Sequence, residues 1–485
     1  MKTIKSNDSL YHYGARSNNF LYNQISAELK RAQKENEELK KLVRELIEKN
    51  GKLLSEIERL TSIISNNSKN SSLPPSSDQK PSHPKSPNEY NGRKKTKRRP
   101  GGQSGRLGIT LTKHDIENKI HTGAIEHKII NYGSSDPKEG AYVSKYVLDL
   151  KTKAIAYEYR FPKGSTIPQE FHSDVVYGPE IKSLAIALYS EGDVSFNRIC
   201  DLLNSMSSSQ LGLSIGSVYN FVRDGATFIR RSLPNIINDL SSSSIIYTDS
   251  TNVIVNGAQE YIRNQSTDKS VLYIPLEKKN LTILKQIKPL NGFAGTIVHD
   301  HETSLYHFGM KHGECNAHLF RYLKKTLEEA KNPWAKDMIN FLSGINNYRN
   351  NLKAQNIKAF REDELIRYSA RYDTIVKHGI EQNKTTLRRF AKGEEKKLLN
   401  RLLKYKDSQL LFMYDFDVGF TNNMSERDLR KCKNKQKISG FRKQSGKQIY
   451  CDIMSFVQTC KRRNINVLYG LQRALIGDVL FGVGE

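Results

Sequence analysis

The sequence has 485 residues, with 77 Lys and Arg against 51 Asp and Glu, which gives a net charge of +26. This length is sufficient for about three domains with buried cores, and the charge favours a polyanionic partner such as DNA, with a salt-sensitive affinity. No apolar run approaches the ~20 residues of a membrane span, and the N-terminus lacks the apolar segment of a signal peptide. Five cysteines without CxxC spacing indicate reduced thiols rather than a disulfide framework. We therefore expect a cytoplasmic protein without a membrane partner.

Residues 20–65 contain a heptad pattern. Between positions 25 and 64, apolar residues recur at alternating spacings of four and three, with charged residues between them. The a positions include Leu29, Asn36, Val43, Asn50, Ile57 and Ile64, and the d positions include Leu39, Leu46, Leu53 and Leu60. This pattern predicts a coiled coil that makes the protein a homodimer. The alternative is a single amphipathic helix that packs on the body of the same chain.

Residues 66–108 are rich in Ser, Pro, Gly and Lys and contain a basic run at 93–99. So few of them could bury apolar area that we predict a mobile linker. Arg98 and Arg99 are candidate DNA contacts, because a basic arm of this kind can enter a minor groove. A solvated spacer that makes loose phosphate contacts is the alternative.

Residues 109–165 are predicted to form a small β-rich domain, with strands at 142–150 and 154–161. The next segment, 166–240, has helical patterns, and two of these, at 194–204 and 214–223, flank a polar connector that contains Gly212. This arrangement predicts a DNA-binding helix-turn-helix, whose second helix would present Ser217, Asn220 and Arg223 to a groove. A plain helical hairpin is the alternative.

Residues 241–320 have the pattern of a sheet. Strands are predicted at 245–249, 252–255, 261–263, 271–276 and 294–300, with a hairpin turn at Asn256-Gly257 and a helix at 281–290. Asp249 and Asp300 each end one of these strands, and a crossover through the helix would make the two strands parallel neighbours. The order of strands, helix and carboxylates is that of an α/β domain of the ribonuclease H-like fold.

An α-helical insertion is predicted at 321–414, after which the same catalytic domain resumes at 415–470, followed by a C-terminal tail at 471–485. Glu426 is expected in the first turn of a basic helix, behind a cap at Asn422 or Asn423. Helical spacing places Arg430 and Lys433 on the face of Glu426, within a segment, 427–463, that contains twelve Lys and Arg against two acids. Arg430 and Lys433 are therefore candidate DNA contacts, and an ion pair between Arg430 and Glu426 is the structural alternative.

Asp249, Asp300 and Glu426 together predict a metal site. Two strand-end carboxylates and one helix carboxylate can hold two Mg²⁺ or Mn²⁺ ions, and such a pair stabilises the attacking and leaving oxygens of a phosphodiester. A zinc site in 312–318, which contains two histidines and a cysteine, is not expected, because three ligands in so short a stretch need a fourth from elsewhere. His318 is predicted instead to support the active site by contacting DNA or positioning a carboxylate.

Six segments form a set of motifs. They are the linker at 67–78, the Gly-rich stretch at 98–105, the helical region at 177–203, Asp249-Ser250-Thr251, the segment 315–318 and the segment 421–430. Together they resemble the DDE transposases of the insertion-sequence family numbered sixty-six, most specifically at 421–430. The resemblance implies that Asp249, Asp300 and Glu426 are a catalytic triad. It also implies metal-dependent cleavage and strand transfer of DNA, at element ends and target, in a prokaryotic cytoplasm.

The sequence departs from this family's pattern in two ways. The family usually carries a zinc-binding segment with paired cysteines after the linker, whereas residues 109–165 contain no cysteine. We therefore expect that small domain to fold by packing alone, without zinc. Ser250 stands where the family has Glu, and Asn316 stands where it has Trp, which could alter how the site is supported.

Three functions are open at this point: a transposase, a catalytically silent DNA-binding or architectural protein derived from one, and a structure-selective nuclease that does not join strands. A metal-dependent nicking assay separates the first function from the second. A strand-transfer product separates the first function from the third.

Overall fold

The computed structural model describes residues 8–66, 112–130, 144–150, 152–438 and 440–482. Within these residues the chain is mixed α/β, with fifteen α-helices and five β-strands. The chain divides into two compact units, a first unit of residues 1–80 and 296–422 and a second unit of residues 81–295 and 423–485. None of the described helices combines the length and the apolar composition that a membrane span requires. Arg98, Arg99 and nearly all of the predicted linker lie outside the described residues.

The helices and strands are numbered in chain order. The helices are α1 (Asp8–Ser65), α2 (Lys113–His121), α3 (Pro179–Ser190), α4 (Phe196–Met206), α5 (Ile215–Ile229), α6 (Leu233–Ser242), α7 (Leu281–Leu284), α8 (Asn316–Glu329), α9 (Trp334–Ala354), α10 (Glu362–Thr385), α11 (Arg389–Lys404), α12 (Lys406–Tyr414), α13 (Asn423–Ile438), α14 (Gln444–Arg462) and α15 (Val467–Leu475). The strands are β1 (Ile245–Val255), β2 (Ala258–Ser266), β3 (Val271–Leu276), β4 (Thr296–His299) and β5 (Lys311–Glu314).

In the second unit, β2 pairs antiparallel with β1 on one side and with β3 on the other. The turn between β1 and β2 is at Asn256-Gly257, as predicted. Both residues have positive φ, of 48° and 80°, which is the backbone that an Asn-Gly hairpin turn requires. The hairpin therefore follows from local turn chemistry.

Strand β1 is longer than the sequence predicts. The two stretches expected at 245–249 and 252–255 are one strand, because residues 250 and 251 continue the pairing with β2. Asp249 therefore lies in the middle of β1, opposite Asn264, and the prediction that it ends a strand is wrong. The apolar run is a poor guide to the strand end here, because the ladder is made by backbone groups and polar residues can extend it.

Helix α14 packs on β3 through hydroxyl groups as well as apolar side chains. The backbone N–H of Tyr273 donates to Ser455 Oγ at 2.8 Å, and that of Val271 donates to Thr459 Oγ1 at 3.1 Å. These side chains satisfy backbone donors of β3 that β2 does not reach. The bonds also fix the position of α14 along the strand.

Helix α7 is shorter than the helix predicted at 281–290, since it ends at Leu284. Pro289 lies within the predicted span, and a proline disfavours the helical conformation of the residue before it. The chain continues through turns to residue 292. Strand β4 then begins at Thr296 rather than at 294.

The described part of 109–165 contains helix α2 and no strand. The helix begins with a capping box between Thr112 and Asp115. Strands are predicted at 142–150 and 154–161, but the described residues there, 144–150 and 154–161, form none. Their apolar side chains are exposed, with Val147 at 93% and Leu150 at 83%. The alternating pattern therefore lacks the packed face that stabilises a strand.

Helix α5 packs against α3, α4, α14 and α15 in the second unit. Where α5 packs on α3, a Cβ added to Gly225 would lie 2.4 Å from Ile186 Cδ1. A glycine at this position therefore allows the two helices to approach closely. This contact holds α5 against α3, while the face of α5 that carries Asn220 and Arg223 stays exposed.

In the first unit, β4 and β5 are a parallel pair, and helices α8–α12 form a core around Trp334. The indole Nε1–H of Trp334 donates to Glu395 Oε1 at 2.6 Å, and the same buried carboxylate accepts from Asn332 and Asn383. A buried polar group with several partners specifies one arrangement of the surrounding helices.

Helix α1 is continuous over 58 residues and belongs to the first unit. Near its C-terminal end, Glu58 Oε2 accepts a hydrogen bond of 2.9 Å from the backbone N–H of Phe390, at the start of α11. The predicted heptad residues are nevertheless exposed, including Leu39 (62%), Leu46 (51%) and Ile57 (58%). The contact with α11 therefore leaves most of the heptad positions of α1 uncovered in the single chain.

Candidate active site and nucleic-acid surface

Asp249, the first candidate metal ligand, is half-buried on β1 and is held by its neighbours. Its backbone N–H donates to Oδ1 of Asn264, its partner on β2, at 3.1 Å. Its own Oδ1 accepts from the backbone N–H of Ser250 at 2.6 Å. These bonds restrict both the backbone and the carboxylate of Asp249, as a preorganised ligand requires.

Glu426, the second candidate ligand, lies half-buried in the first turn of α13, as predicted. The helix begins at Asn423, one of the two residues predicted as its cap. The residue before Glu426, Ser425, connects the helix to β2. Its hydroxyl donates to Asn264 Oδ1 at 2.5 Å, and its carbonyl accepts from Asn264 Nδ2 at 3.1 Å. Asp249 and the first turn of α13 are thus connected through one amide side chain.

Asp428, two residues beyond Glu426, is buried and holds α13 against the strands. Its two carboxylate oxygens accept from Nη2 of Arg462 at 2.9 and 2.7 Å, and Oδ2 also accepts from Ser266 Oγ at 2.7 Å. Its backbone carbonyl accepts from the hydroxyl of Tyr273 at 3.1 Å. These contacts connect α13 to β2, β3 and α14, so the helix that carries Glu426 has a fixed orientation.

Asp300, the third candidate ligand, directly follows β4 in the first unit, as predicted, and is half-buried. The next residue, His301, has a φ of 71°, a conformation that is strained for a residue with a Cβ. Its Nδ1–H donates to Glu314 Oε1, at the end of β5, at 2.5 Å. The turn after Asp300 is therefore held by the neighbouring strand.

The Glu314 carboxylate is buried among hydrogen-bond donors. Besides His301, they include the hydroxyl of Tyr306 at 2.6 Å and Nη2 of Arg401 at 2.7 Å. Burial alone raises the pKa of the Glu314 carboxyl, but the hydrogen bonds and charges of these neighbours outweigh it and lower the pKa to about 2. Because Arg401 belongs to α11, the helices of the first unit contribute to the turn that follows Asp300.

His318, the predicted supporting residue, is buried near the start of α8, and its Nε2 lies 3.0 Å from Nη1 of Arg321. Because a guanidinium only donates, Nε2 is the acceptor in this contact. Nearby, Cys315 Sγ accepts from the backbone N–H of Asn422 at 3.1 Å. The role of His318 toward DNA or a carboxylate stays a prediction, as does that of Asn423, which is exposed.

The connection between α4 and α5 is held by one side chain. Asn204 of α4 accepts a hydrogen bond from the backbone N–H of Leu213 and donates one to its carbonyl, each at 2.9 Å. Gly212 has a φ of 55°, within the left-handed region that glycine adopts readily. The two helices therefore have a defined relative orientation, which both a helix-turn-helix and a helical hairpin would show.

The residues predicted to face a DNA groove lie on α5. Asn220 and Arg223 are exposed, whereas Ser217 is half-buried. Arg223 Nε donates to Asp224 Oδ1 at 2.8 Å. An exposed ion pair of this kind contributes little to stability, so Arg223 can exchange it for a phosphate at low cost.

Arg430 and Lys433 of α13 are exposed, as expected for phosphate contacts. A third cation of the same helix packs inside the protein instead. Lys435 is buried, and its Nζ lies 4.5 Å from the ring centroid of Tyr189. Only part of the basic charge of α13 is therefore exposed.

Asn264, Asp428 and Glu314 were not predicted as site residues, although Asp428 lies within the segment 421–430. A signal existed for Asn264: residues 263–266 of β2 are four consecutive polar residues, and all four are fully buried. A polar run in a buried strand is a local conflict, and such conflicts are typical of functional sites. Asp428 and Glu314 gave no comparable signal, because their arginine partners are distant in the sequence.

The three candidate ligands and helices α4 and α5 lie within a part of the chain that matches a family of transposases. The family model described as Transposase IS66 family matches residues 174–448, more than half of the chain. The protein therefore belongs to the Transposase IS66 family, which confirms the resemblance found in its motifs. A second model, for a family of unknown function (DUF6444), matches residues 26–111. A comparison with curated proteins finds no match.

Proposed function

We propose that the protein is an active DDE transposase, which cleaves phosphodiesters at the ends of an insertion sequence and joins the freed 3′-OH groups to target DNA. The observation that carries the proposal is the Asn264 amide. It bonds both to the backbone of Asp249 and to Ser425, the neighbour of Glu426. Two of the three proposed ligands therefore belong to one connected arrangement, and Asp300 is proposed as the third. Family membership supports DNA as the substrate.

The three proposed ligands fit Mg²⁺ or Mn²⁺. All are half-buried carboxylates, and carboxylate oxygens are the ligands that these ions prefer. Held by these three residues, two such ions would supply activation of the nucleophile and stabilisation of the leaving oxygen of the phosphodiester. The chain's own contribution is to hold the three carboxylates in place and to bind phosphates with exposed cations beside Glu426. Zinc has no role in the proposal.

For the catalytic domain, 241–320 and 415–470, we propose the ribonuclease H-like fold with a helical insertion at 321–414. The order of elements supports it. Antiparallel strands β1–β3 come first, followed by α7 and β4, and Glu426 comes from a later helix, α13. Helices α8–α12 separate β5 from α13 in the chain.

DNA recognition is proposed to use two kinds of contact. The exposure of Asn220 and Arg223 on α5 supports a helix-turn-helix that reads a groove. Cations outside this helix would bind phosphates without reading sequence. The proposed groove-facing residues are Ser217, Asn220 and Arg223; the proposed phosphate contacts are Arg98, Arg99, Arg430 and Lys433; and the proposed supporting residues are His318 and Asn423.

We propose further that α1 forms a parallel coiled coil with α1 of a second copy. The exposed leucines at its d positions support this, because an apolar seam on a long helix is stabilised by a partner helix. Asn36 and Asn50 at a positions would pair with their counterparts in register. The contact between Glu58 and α11 supports the alternative, packing on the same chain, but only near one end of the helix.

Cleavage of labelled element-end DNA by the full chain tests the proposed activity. Asp249→Asn, Asp300→Asn and Glu426→Gln should each abolish Mg²⁺-dependent nicking, because each removes a charged metal ligand. All three should still bind end DNA, because phosphate affinity comes from Lys and Arg. Asp337→Asn, which changes an exposed acid of α9, is the control and should cleave like the wild type.

Each other outcome points to a different function. Nicking that persists in a ligand variant contradicts the proposed triad. Nicking without a strand-transfer product indicates a nuclease. DNA binding without nicking in either Mg²⁺ or Mn²⁺ indicates a catalytically silent DNA-binding protein.

A further inference from the structure

We infer that Asn264 is a positioning residue of the proposed active site, whose amide fixes Asp249 on β1 and Glu426 on α13 relative to each other. None of the sequence motifs includes this residue. The inference rests on the proposed function, because it takes Asp249 and Glu426 as metal ligands. Asn264 itself would touch neither metal nor DNA.

The side chain of Asn264 is fully buried, and both ends of its amide are used. Oδ1 accepts from the backbone N–H of Asp249 at 3.1 Å and from the hydroxyl of Ser425 at 2.5 Å. Nδ2 donates to the carbonyl of Ser425 and to Ser266 Oγ, both at 3.1 Å. A primary amide combines an acceptor with two donors, so the site uses a property that neither a carboxylate nor an apolar side chain provides.

Asp428 determines which end of the amide faces each neighbour. Nδ2 of Asn264 lies 3.4 Å from Asp428 Oδ2, an oxygen that also accepts from Arg462 at 2.7 Å. A carboxylate paired with arginine only accepts, so the nitrogen of the amide must face it and the oxygen must face Asp249 and Ser425. A carboxylate at position 264 would face Asp428 without a hydrogen to donate.

The two bonds to Oδ1 connect the backbone of one proposed ligand to the residue that precedes the other. Groups that orient metal ligands in this way typically change metal affinity or activity by 10–100-fold when they are removed. DNA affinity depends instead on the exposed cations. Loss of the amide should therefore weaken metal binding and slow cleavage while leaving DNA binding unchanged.

The test compares variants of the full chain by Mn²⁺ binding, measured by electron paramagnetic resonance, and by the Mg²⁺ dependence of end cleavage. Asn264→Ser and Asn264→Asp should each raise the half-saturating metal concentration by about 10–100-fold. Ser425→Ala keeps the bond to Asp249 and should give a smaller increase. The matched control is Asn383→Ser, which removes another buried asparagine whose Nδ2 donates to Glu395 at 2.8 Å.

Thermal unfolding separates positioning from folding. If Asn264→Ser lowers the melting temperature as Asn383→Ser does but leaves the half-saturating metal concentration unchanged, the inference is overturned. If the Asn264 variants do not fold, Ser425→Ala decides, and an unchanged metal dependence in that variant also overturns the inference. Asp249→Asn distinguishes failure of the proposed function from failure of this inference. Cleavage that survives in Asp249→Asn refutes the proposed function. If Asp249→Asn is inactive and Asn264→Ser has an unchanged half-saturating metal concentration, only the inference is refuted.

Discussion

Glu314 and Asp428 are buried carboxylates, and each is paired with an arginine from a distant helix. Glu314 contacts Arg401 of α11, and Asp428 contacts Arg462 of α14. Such a pair is often no more stabilising than an apolar pair of the same size, but removal of one partner costs about 3–5 kcal/mol. We therefore interpret both pairs as devices that fix geometry beside the proposed ligands Asp300 and Glu426.

At the scale of single residues, the low pKa of Glu314 predicts that the stability of the folded protein depends on pH. Its folded-state pKa of about 2 lies below the ordinary value of 4.5, so the stabilisation is complete above about pH 4.5 and is lost as the pH falls toward 2. Glu314→Gln should lower the free energy of unfolding by on the order of 3 kcal/mol near neutral pH. The difference from the wild type should shrink as the pH falls below about 4.5.

Urea unfolding of both proteins at several pH values measures this difference. Glu362→Gln, an exposed acid of α10, is the control and should change stability by less than about 0.5 kcal/mol. A wild-type advantage that stays constant from neutral pH down to roughly pH 3 would contradict the low pKa of Glu314.

The sequence locates the candidate ligands better than it locates the residues around them. Asp300 after β4 and Glu426 in the first turn of α13 follow from local patterns, an apolar run and a helix start. Asn264 was missed because Asp249 was expected to end a strand, so the pairing set by the Asn256-Gly257 turn was not extended to the residue opposite Asp249. Glu314 depends on Arg401, 87 residues away. Contacts between distant residues of this kind have no local pattern.

At the scale of elements, turn and capping chemistry predicted more than alternation did. The Asn256-Gly257 hairpin is where the sequence places it, because only a few residue types allow its backbone conformation. The segment 144–161, by contrast, was predicted to contain strands from its pattern of apolar residues. Its described residues form no strand, and Val147 is exposed. A strand depends on a partner, and the sequence of one segment does not supply it.

Helix α5 provides a test of DNA reading. If it enters a groove, Asn220→Ala should reduce the discrimination between end DNA and random DNA by about 1–3 kcal/mol, because a base-edge contact is lost. Competition binding with both DNAs measures this discrimination. Asn350→Ala, which changes an exposed asparagine of α9, is the control and should leave discrimination unchanged. An equal loss of affinity for both DNAs would favour the plain helical hairpin.

The basic run at 93–99 should behave differently from α5. Replacement of its Lys and Arg residues by Gln should weaken end DNA and random DNA alike, because phosphate contacts carry no sequence information. On logarithmic axes, the slope of affinity against salt concentration should also decrease in magnitude by about 1 for each phosphate contact removed. Binding measured over a range of salt concentrations tests both points. A selective loss of end-DNA binding would instead assign base reading to this run.

At the scale of the whole molecule, α1 predicts a dimer. Light scattering should find a dimer for the full chain and a monomer for a chain that starts at residue 66. Leu39→Glu combined with Leu46→Glu should also give a monomer, because both side chains are exposed in the single chain and their loss should leave its fold intact. Lys41→Glu, at an outer heptad position, is the control. A full-length monomer at micromolar concentration would rule out the coiled-coil dimer.

The asparagines of α1 allow a sharper test of its pairing. Asn36→Ile combined with Asn50→Ile should stabilise the coil but shift it toward trimers or mixed registers, because a polar a position specifies register and number at a cost in stability. Analytical ultracentrifugation of the double variant measures the shift. An unchanged dimer would show that neither asparagine lies in the seam.

Helix α11 has contacts at both ends whose combination has a consequence for assembly. At its start, the backbone N–H of Phe390 donates a hydrogen bond to Glu58 of α1. Near its end, Arg401 donates to Glu314, whose carboxylate also holds the turn after Asp300 through His301. The two contacts are about 16 Å apart along the helix axis, a length over which an α-helix is stiff. A dimer formed through α1 would therefore set the distance between the two Asp300 turns. If Asp300 is a metal ligand, as proposed, this distance would limit which pairs of DNA ends the dimer cuts together.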